Sequence, residues 1–212
     1  MSLRLWDERV VPRLTDASLR GHEVGELRGL ACVGLTGRVL EIGFGSGLNV
    51  RWYPREVTSV TAIEPSDVGW ELSERRRDRS SVPVERAGLD GQALDLPDAT
   101  HDSVLVTFSL CTIPDPVRAL REARRVVRPG GRLHVLEHGA APEEGVRRWQ
   151  RPLEPVQRAV AGGCHLTRDV PGMVREAGWT VEDLVEDYLD GPALARPWTH
   201  VSRLSARDAG TP

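Results

Sequence analysis

Residues 39–49, reading V-L-E-I-G-F-G-S-G-L-N, constrain the fold more than any other stretch of this chain. Val39, Leu40 and Ile42 form a short apolar run suited to a buried parallel strand, and Gly43, Gly45 and Gly47 end it at once. Glycines at such a place permit positive φ and put no Cβ between the backbone and a ligand. From Leu48 onward the chain can open a helix whose free N–H groups face the loop. A dinucleotide fingerprint, G-x-G-x-x-G, needs a third glycine at position 48, and this chain has Leu48 there.

The rest of the chain alternates strand and helix patterns. A short crossover helix is expected over 48–53, stopped by Pro54, then a β-branched second strand over Val57–Ile63. Glu64 ends that strand about twenty residues beyond Gly43, where a carboxylate accepts hydrogen bonds from the vicinal hydroxyls of a ribose. Pro65 and Ser66 follow, with Ser66 as an N-cap and Val68, Trp70 and Leu72 on the buried side of the next helix. The run 74–79, E-R-R-R-D-R, mixes signs and reads as a solvated helix face. A third strand is expected over 82–86, a polar loop over 88–97, and a fourth strand over 103–108 with Val104, Leu105 and Val106 buried. In an open parallel sheet, ligands sit beyond the carboxyl ends of the strands, so Phe108, Leu110 and Cys111 are pocket candidates. Asp115 and Pro116 open a helix with Val117, Leu120, Ala123 and Val127 inward, ended by R-P-G-G at 128–131 before a fifth strand over 132–137. A long helix over 143–161, bent near Pro152 and Pro155, precedes a helix capped by Thr167 or Asp169. Strands over 179–185 and 199–204 close the pattern.

Whole-chain properties narrow the function classes. With 212 residues and 40% hydrophobic content, one substantial core and a single domain are expected. A net charge of −3 gives no global attraction to nucleic acid, and no apolar run reaches the roughly 18 residues of a membrane span. Residues 1–20 lack the apolar core of a signal peptide, so a cytoplasmic location is expected. Cys32, Cys111 and Cys164 are widely spaced and odd in number, against a disulfide framework, and Cys164 with His165 lacks a second pair at metal-ligand spacing.

The combination E-x-G-x-G-x-G at 41–47 resembles motif I of the class I S-adenosylmethionine (AdoMet)-dependent methyltransferases. The block D-P-V-R-A-L-R-E-A-R-R-V-V-R-P-G-G-R-L at 115–133 is similar to the segment after the fourth strand in the same family. G-L-N-V-R-W-Y-P, L-C-T-I-P-D-P, L-E-H-G and G-G-C-H-L-T-R-D resemble the small-molecule thiol methyltransferase-like subgroup and its bacterial relatives. The resemblance implies an α/β, Rossmann-like, doubly wound and mostly parallel seven-stranded sheet with an antiparallel closing strand. It also implies AdoMet as cofactor, S-adenosylhomocysteine as product, and a small-molecule acceptor, with no nucleic acid and no stable membrane insertion. The cofactor residues it points to are Glu41, Gly43, Gly45, Gly47, Asn49, Glu64, Pro65, Asp90, Gly91, Gln92, Phe108 and Cys111. Asp90 would receive the adenine amino group, with Gln92 as the alternative.

His138 and His165 are the catalytic candidates as bases near the acceptor. In such proteins N-terminal helices cover the pocket, here residues 1–37 with Leu3, Leu5, Trp6, Val10 and Leu14 near helical spacing; core packing accounts equally for Trp6. A nicotinamide-dependent oxidoreductase and a non-catalytic AdoMet-binding protein are the competing readings. A phospholipid acceptor is disfavoured by the lack of a basic amphipathic segment in the sequence pattern.

Overall fold

A computed structural model describes residues 5–208. Leu3 lies outside them. A π-helical turn, Trp6–Val10, runs into α1 (Val11–Leu19), with Pro12 tolerated in its first turn, and α2 (His22–Cys32) follows. Then come β1 (Gly37–Ile42), β2 (Val57–Ile63), α3 (Asp67–Asp78), β3 (Val84–Gly88), β4 (His101–Thr107), α4 (Pro116–Val126) and β5 (Val127–His138). The last third holds α5 (Glu144–Val160), α6 (Val170–Glu176), β6 (Trp179–Tyr188), α7 (Arg196–Thr199) and β7 (His200–Asp208).

These strands form one seven-stranded sheet in the order β3-β2-β1-β4-β5-β7-β6. The first five are parallel, and β7 runs antiparallel to both β5 and β6. The antiparallel strand therefore lies inside the sheet, and β6 takes the edge. Strand order reverses between β1 and β4, where Ile42 is level with Val106, so the loops after these strands open one crevice.

The period of two along a strand sorts the core. Leu40, Ile42, Val104 and Val106 pack on one face with Leu120, Ala123 and Val126 of α4, whereas Val39 and Leu105 pack on the other with Cys32 and Leu35. Asp115 caps α4 by accepting from the Arg118 N–H at 2.9 Å, and Pro116 follows it at the first helical position. Each leucine fully buried here contributes about 1.5–3 kcal/mol.

Several local expectations are corrected. The crossover helix over 48–53 is only a 3-10 turn, Val50–Trp52. The Trp52 ring instead packs against α2, an ideal Cβ on Gly29 lying 2.9 Å from it, so α2 covers the sheet there. Leu72 is exposed, because Gly69 and Ser73 form the buried side of α3. Leu110 is fully buried in the core rather than in the crevice, and Val127 begins β5 instead of ending α4.

Candidate active site

The glycine loop takes the backbone form that its sequence permits. Gly43, Gly45 and Gly47 have φ of +75°, +57° and +74°. A Cβ on Gly43 would lie 1.8 Å from Ser109 Oγ, so the loops after β1 and β4 touch only because Gly43 has none. A Cβ on Gly45 would meet no atom within 4 Å: this residue faces a cavity of about 780 Å3.

Glu64 sits on the wall of that cavity. Its carboxylate accepts from Gly45 N–H at 2.5 Å and from Ser66 N–H at 2.7 Å. Arg86, paired with Asp67 at 2.7 Å, donates twice to the Glu64 carbonyl. Burial raises the Glu64 pKa, and the two backbone donors oppose that rise. A carboxylate has about four acceptor positions, so two hydrogen bonds leave room for ligand hydroxyls.

Beneath the loop lies a network of which only Arg28 and Thr107 reach the cavity. Glu41 is fully buried, accepting from Asn49 Nδ2 at 2.9 Å and from the Tyr53 hydroxyl at 2.5 Å, and burial lifts its pKa to about 7. Asn49 also donates to Thr107 Oγ1 and accepts from Arg28 at 2.8 Å. Gly47 packs against Phe44 and Ser73. Glu41, Gly47 and Asn49 thus do not line the cavity; the network they belong to holds Arg28, which does. The Arg28 guanidinium lies 5.0 Å from the Phe108 ring centre, its Nε has no hydrogen-bond partner, and burial lowers its pKa to about 10. Sequence patterning did not single out Arg28, although Val24, Arg28 and Ala31 share the buried face of α2, and a charge at a core position is the signal.

At one end of the cavity, Pro65, Asp90, Gly91 and Gln92 contribute to the wall. Asp90 Oδ1 accepts from the backbone and side-chain amides of Gln92 at 2.8 and 2.9 Å, which holds the carboxyl below its usual range. Gln92 Oε1 accepts from Asp115 N–H at 2.8 Å. The Gln92 oxygen thus ties this loop to the cap of α4 and its Nε2 is engaged within the loop by Asp90 Oδ1, which leaves Asp90 Oδ2 as the oxygen open to a ligand. An ideal Cβ on Gly91 would lie 2.8 Å from Ile42, so glycine sets the close approach of this loop.

The other end is made of side chains from distant segments. Phe108, held at φ +52°, Cys111 and His138 meet Gln157 of α5 and Cys164. His138 Nδ1 lies 3.5 Å from Cys164 Sγ, and its buried Nε2 has no partner. The hydrogen bond between the two thiols draws Cys164 down, and together with burial it pushes Cys111 up. His165 does not face the cavity: its ring Nδ1 is 2.6 Å from Glu154 Oε1, and its backbone N–H donates to the Cys111 carbonyl at 2.9 Å. The turn that carries Cys164 to the wall thus turns its neighbour away. Glu137, also unmarked by the sequence pattern, is buried with a pKa lifted to about 7, and it accepts from Ser109 and Leu110 N–H groups at 2.5 and 2.8 Å. It fixes the loop that bears Cys111.

The N-terminal helices reach the same cavity. Asp16 binds Ser46 Oγ at 2.7 Å and Arg76 at 2.9 Å, and Arg76 donates to the Ser46 carbonyl. Trp6 donates to the Val160 carbonyl at 3.1 Å. Arg76 and Arg77 are therefore not simply solvated, the latter lying 3.9 Å over the Trp70 ring.

Residues 40–135, the segment that supplies the glycine loop, Glu64 and the loop after β4, match the family model described as a methyltransferase domain. The chain carries a class I AdoMet-dependent methyltransferase domain. Thiol S-methyltransferase TMT1B of Rattus norvegicus is 34% identical over 62% of this chain and 55% of its own length. A phosphatidylethanolamine N-methyltransferase of Cereibacter sphaeroides is 36% identical over 59% of each. The chain thus spans a little over half the length of these curated relatives. The solved phospholethanolamine N-methyltransferase 2 of Haemonchus contortus, in complex with phosphomonomethylethanolamine and S-adenosylhomocysteine, superposes with a TM-score of 0.68 at 14% identity, covering 99% of this chain and 61% of that one. AdoMet is the cofactor of the domain, in place of a nicotinamide. The residues present fit it: the Gly45 cradle, the unpartnered Arg28 Nε and the Glu64 carboxylate all lie on one cavity.

Proposed function

We propose that this protein transfers a methyl group from AdoMet to a soft nucleophile, with a thiol as the first choice, on a small and rather apolar acceptor. The observation that carries this reading is the division of the cavity, with Glu64 and the glycine loop on one side and Phe108, Cys111, Cys164 and His138 on the other. The 34% identity to a thiol S-methyltransferase supports it.

AdoMet, when bound, supplies an electrophilic methyl on a sulfonium. In this reading Glu64 accepts from the ribose hydroxyls, Asp90 from the adenine amino group, and Arg28 pairs with the methionine carboxylate. Gly43 and Gly45 let the backbone approach closely, and Pro65, Gly91, Phe108 and Cys111 shape the walls. Glu41, Gly47 and Asn49 support the loop from beneath. The displacement requires acceptor and methyl in line, and such positioning supplies up to roughly 7–11 kcal/mol in favourable systems. His138, through its free Nε2, takes the acceptor proton; a thiol with an ordinary pKa of about 8.5 needs only modest help. The N-terminal cover, residues 5–37 of one domain, excludes water. Among the described residues no helix is long and apolar enough to cross a membrane.

Incubation with methyl-labelled AdoMet and acceptor pools sorted into thiols, phenols and amines tests the proposal. Label is expected in the thiol pool. AdoMet binding without transfer to any pool would replace it with a non-catalytic role.

A further inference from the structure

The three cysteines are all buried, in two different settings. Cys32 is sealed in the core against Leu35 and Val39, whereas Cys111 and Cys164, 4% and 8% exposed, both line the cavity. They come from separate segments that the backbone holds side by side. The Cys111 carbonyl accepts from the His165 N–H at 2.9 Å, and an ideal Cβ on Gly163 would lie 3.9 Å from the Thr112 carbonyl oxygen. Gly162 and Gly163, at φ of +58° and +84°, turn the chain after α5 so that Cys164 arrives against the loop after β4. There the two side chains meet in a thiol–thiol hydrogen bond.

Both segments are pinned. Arg168 donates to the Leu110 and Ile113 carbonyls on either side of Cys111, and Glu154 accepts from the Leu166 and Thr167 N–H groups at 2.8 and 3.1 Å just beyond Cys164. Sulfurs held facing each other can be joined without moving a helix or a strand. The two thiols are also unlike. Cys111, and then the His138 ring at 3.5 Å, draw Cys164 below the ordinary thiol range against its burial, while the same hydrogen bond and burial push Cys111 up. A thiolate is the form that attacks an oxidant, so the pair holds one attacking sulfur and one resolving sulfur.

We propose that Cys111 and Cys164 are a modification site, at which a small hydroperoxide entering the cavity joins them in a reversible disulfide. The Cys164 thiolate attacks one peroxide oxygen and the O–O bond breaks, leaving a sulfenic acid on Cys164 and a hydroxide that takes up the proton Cys164 had given up. The Cys111 sulfur then attacks the Cys164 sulfur, the S–O bond breaks, and the Cys111 proton leaves with the hydroxyl as water. The two thiols lose two electrons, and the peroxide is reduced to water. One consequence rests on the proposed function. A thiolate at Cys164 accepts from Nδ1–H of His138, the tautomer that leaves Nε2 free to take the acceptor proton, and the bridge removes that partner. The bridged protein therefore stops methylating its acceptor.

Oxidation of the folded full chain with hydrogen peroxide, followed by unfolding, alkylation with iodoacetamide and peptide mapping, tests the site. Label is expected on Cys32 alone, with a peptide pair joined through Cys111 and Cys164, and dithiothreitol should return all three thiols. In Cys111→Ser, dimedone, which traps sulfenic acids, should mark Cys164; no adduct there would overturn its assignment as the attacking thiol. Free Cys111 and Cys164 after oxidation, sulfinic acid at Cys164 without a bridge, or a bridge between two chains would each overturn the site. Transfer by the bridged protein is expected to fall about tenfold or more and to return with the reductant, and equal transfer would overturn the consequence for turnover. A protein that bridges yet methylates nothing when reduced would count against the methyl-transfer reading and leave the site standing.

Discussion

The two halves of the cavity are built by different means. The half proposed for the cofactor is made largely of backbone: Gly43 and Gly45 at positive φ, two N–H groups on Glu64 and a short loop at Asp90, all from residues close to strand ends. The opposite half is made of side chains from the loop after β4, the end of β5, the turn after α5 and the N-terminal cover. Backbone geometry leaves a local imprint on sequence because only glycine tolerates it, whereas a wall assembled from distant segments leaves none. The same contrast predicts where substitutions act: on the first half through folding and cofactor affinity, on the second through turnover.

Gly43→Ala has the largest expected effect. Its new Cβ would overlap Ser109 Oγ in a left-handed conformation, and a loss of more than about 3 kcal/mol of stability, with no AdoMet binding, is expected by denaturant titration and calorimetry. A stable variant with unchanged affinity would break the claim that backbone contact sets this half. Glu64→Ala is expected to weaken AdoMet binding by about 1.5–3 kcal/mol, the range for hydrogen bonds to a charged group. Unchanged affinity would remove Glu64 from the ribose site.

On the acceptor side the expected effects are smaller and of another kind. His138→Gln should lower thiol turnover at neutral pH about tenfold while leaving AdoMet affinity alone, and the deficit should shrink as pH rises through about 8.5, where a thiol ionises unaided. A parallel loss at every pH would make His138 a packing residue. Asp16→Ala, which releases the cover from Ser46 and Arg76, is expected to cost less than about 1 kcal/mol of stability, in keeping with a partly exposed ion pair, while raising the apparent KM for the acceptor. A change in AdoMet affinity alone would place the cover over the wrong half.

Most of the sheet was legible in the sequence because continuous apolar runs such as Val104, Leu105 and Val106 and stop signals such as R-P-G-G act locally. Val57–Ile63 forms over the residues expected, and Ser66 and Asp115 cap the helices that follow them. That 48–53 forms only a 3-10 turn and not the expected crossover helix was not legible, because the packing of Trp52 on Gly29 joins segments that propensity treats separately. Arg28 and Glu137 escaped for a similar reason: each is a lone charge whose partners, Asn49 and Thr107 for one and the Ser109 and Leu110 N–H groups for the other, become visible only in three dimensions. His138 and His165 looked alike in sequence, and the Glu154 carboxylate separates them by holding His165 away from the cavity.

The central claim is that the Gly43–Glu64 half of the cavity is an AdoMet site. Isothermal titration of the unmodified protein with AdoMet and with S-adenosylhomocysteine tests it most directly. The structure predicts that both bind at one site per chain and compete with each other; heat from neither ligand, at a protein concentration where the chain is folded, would contradict it.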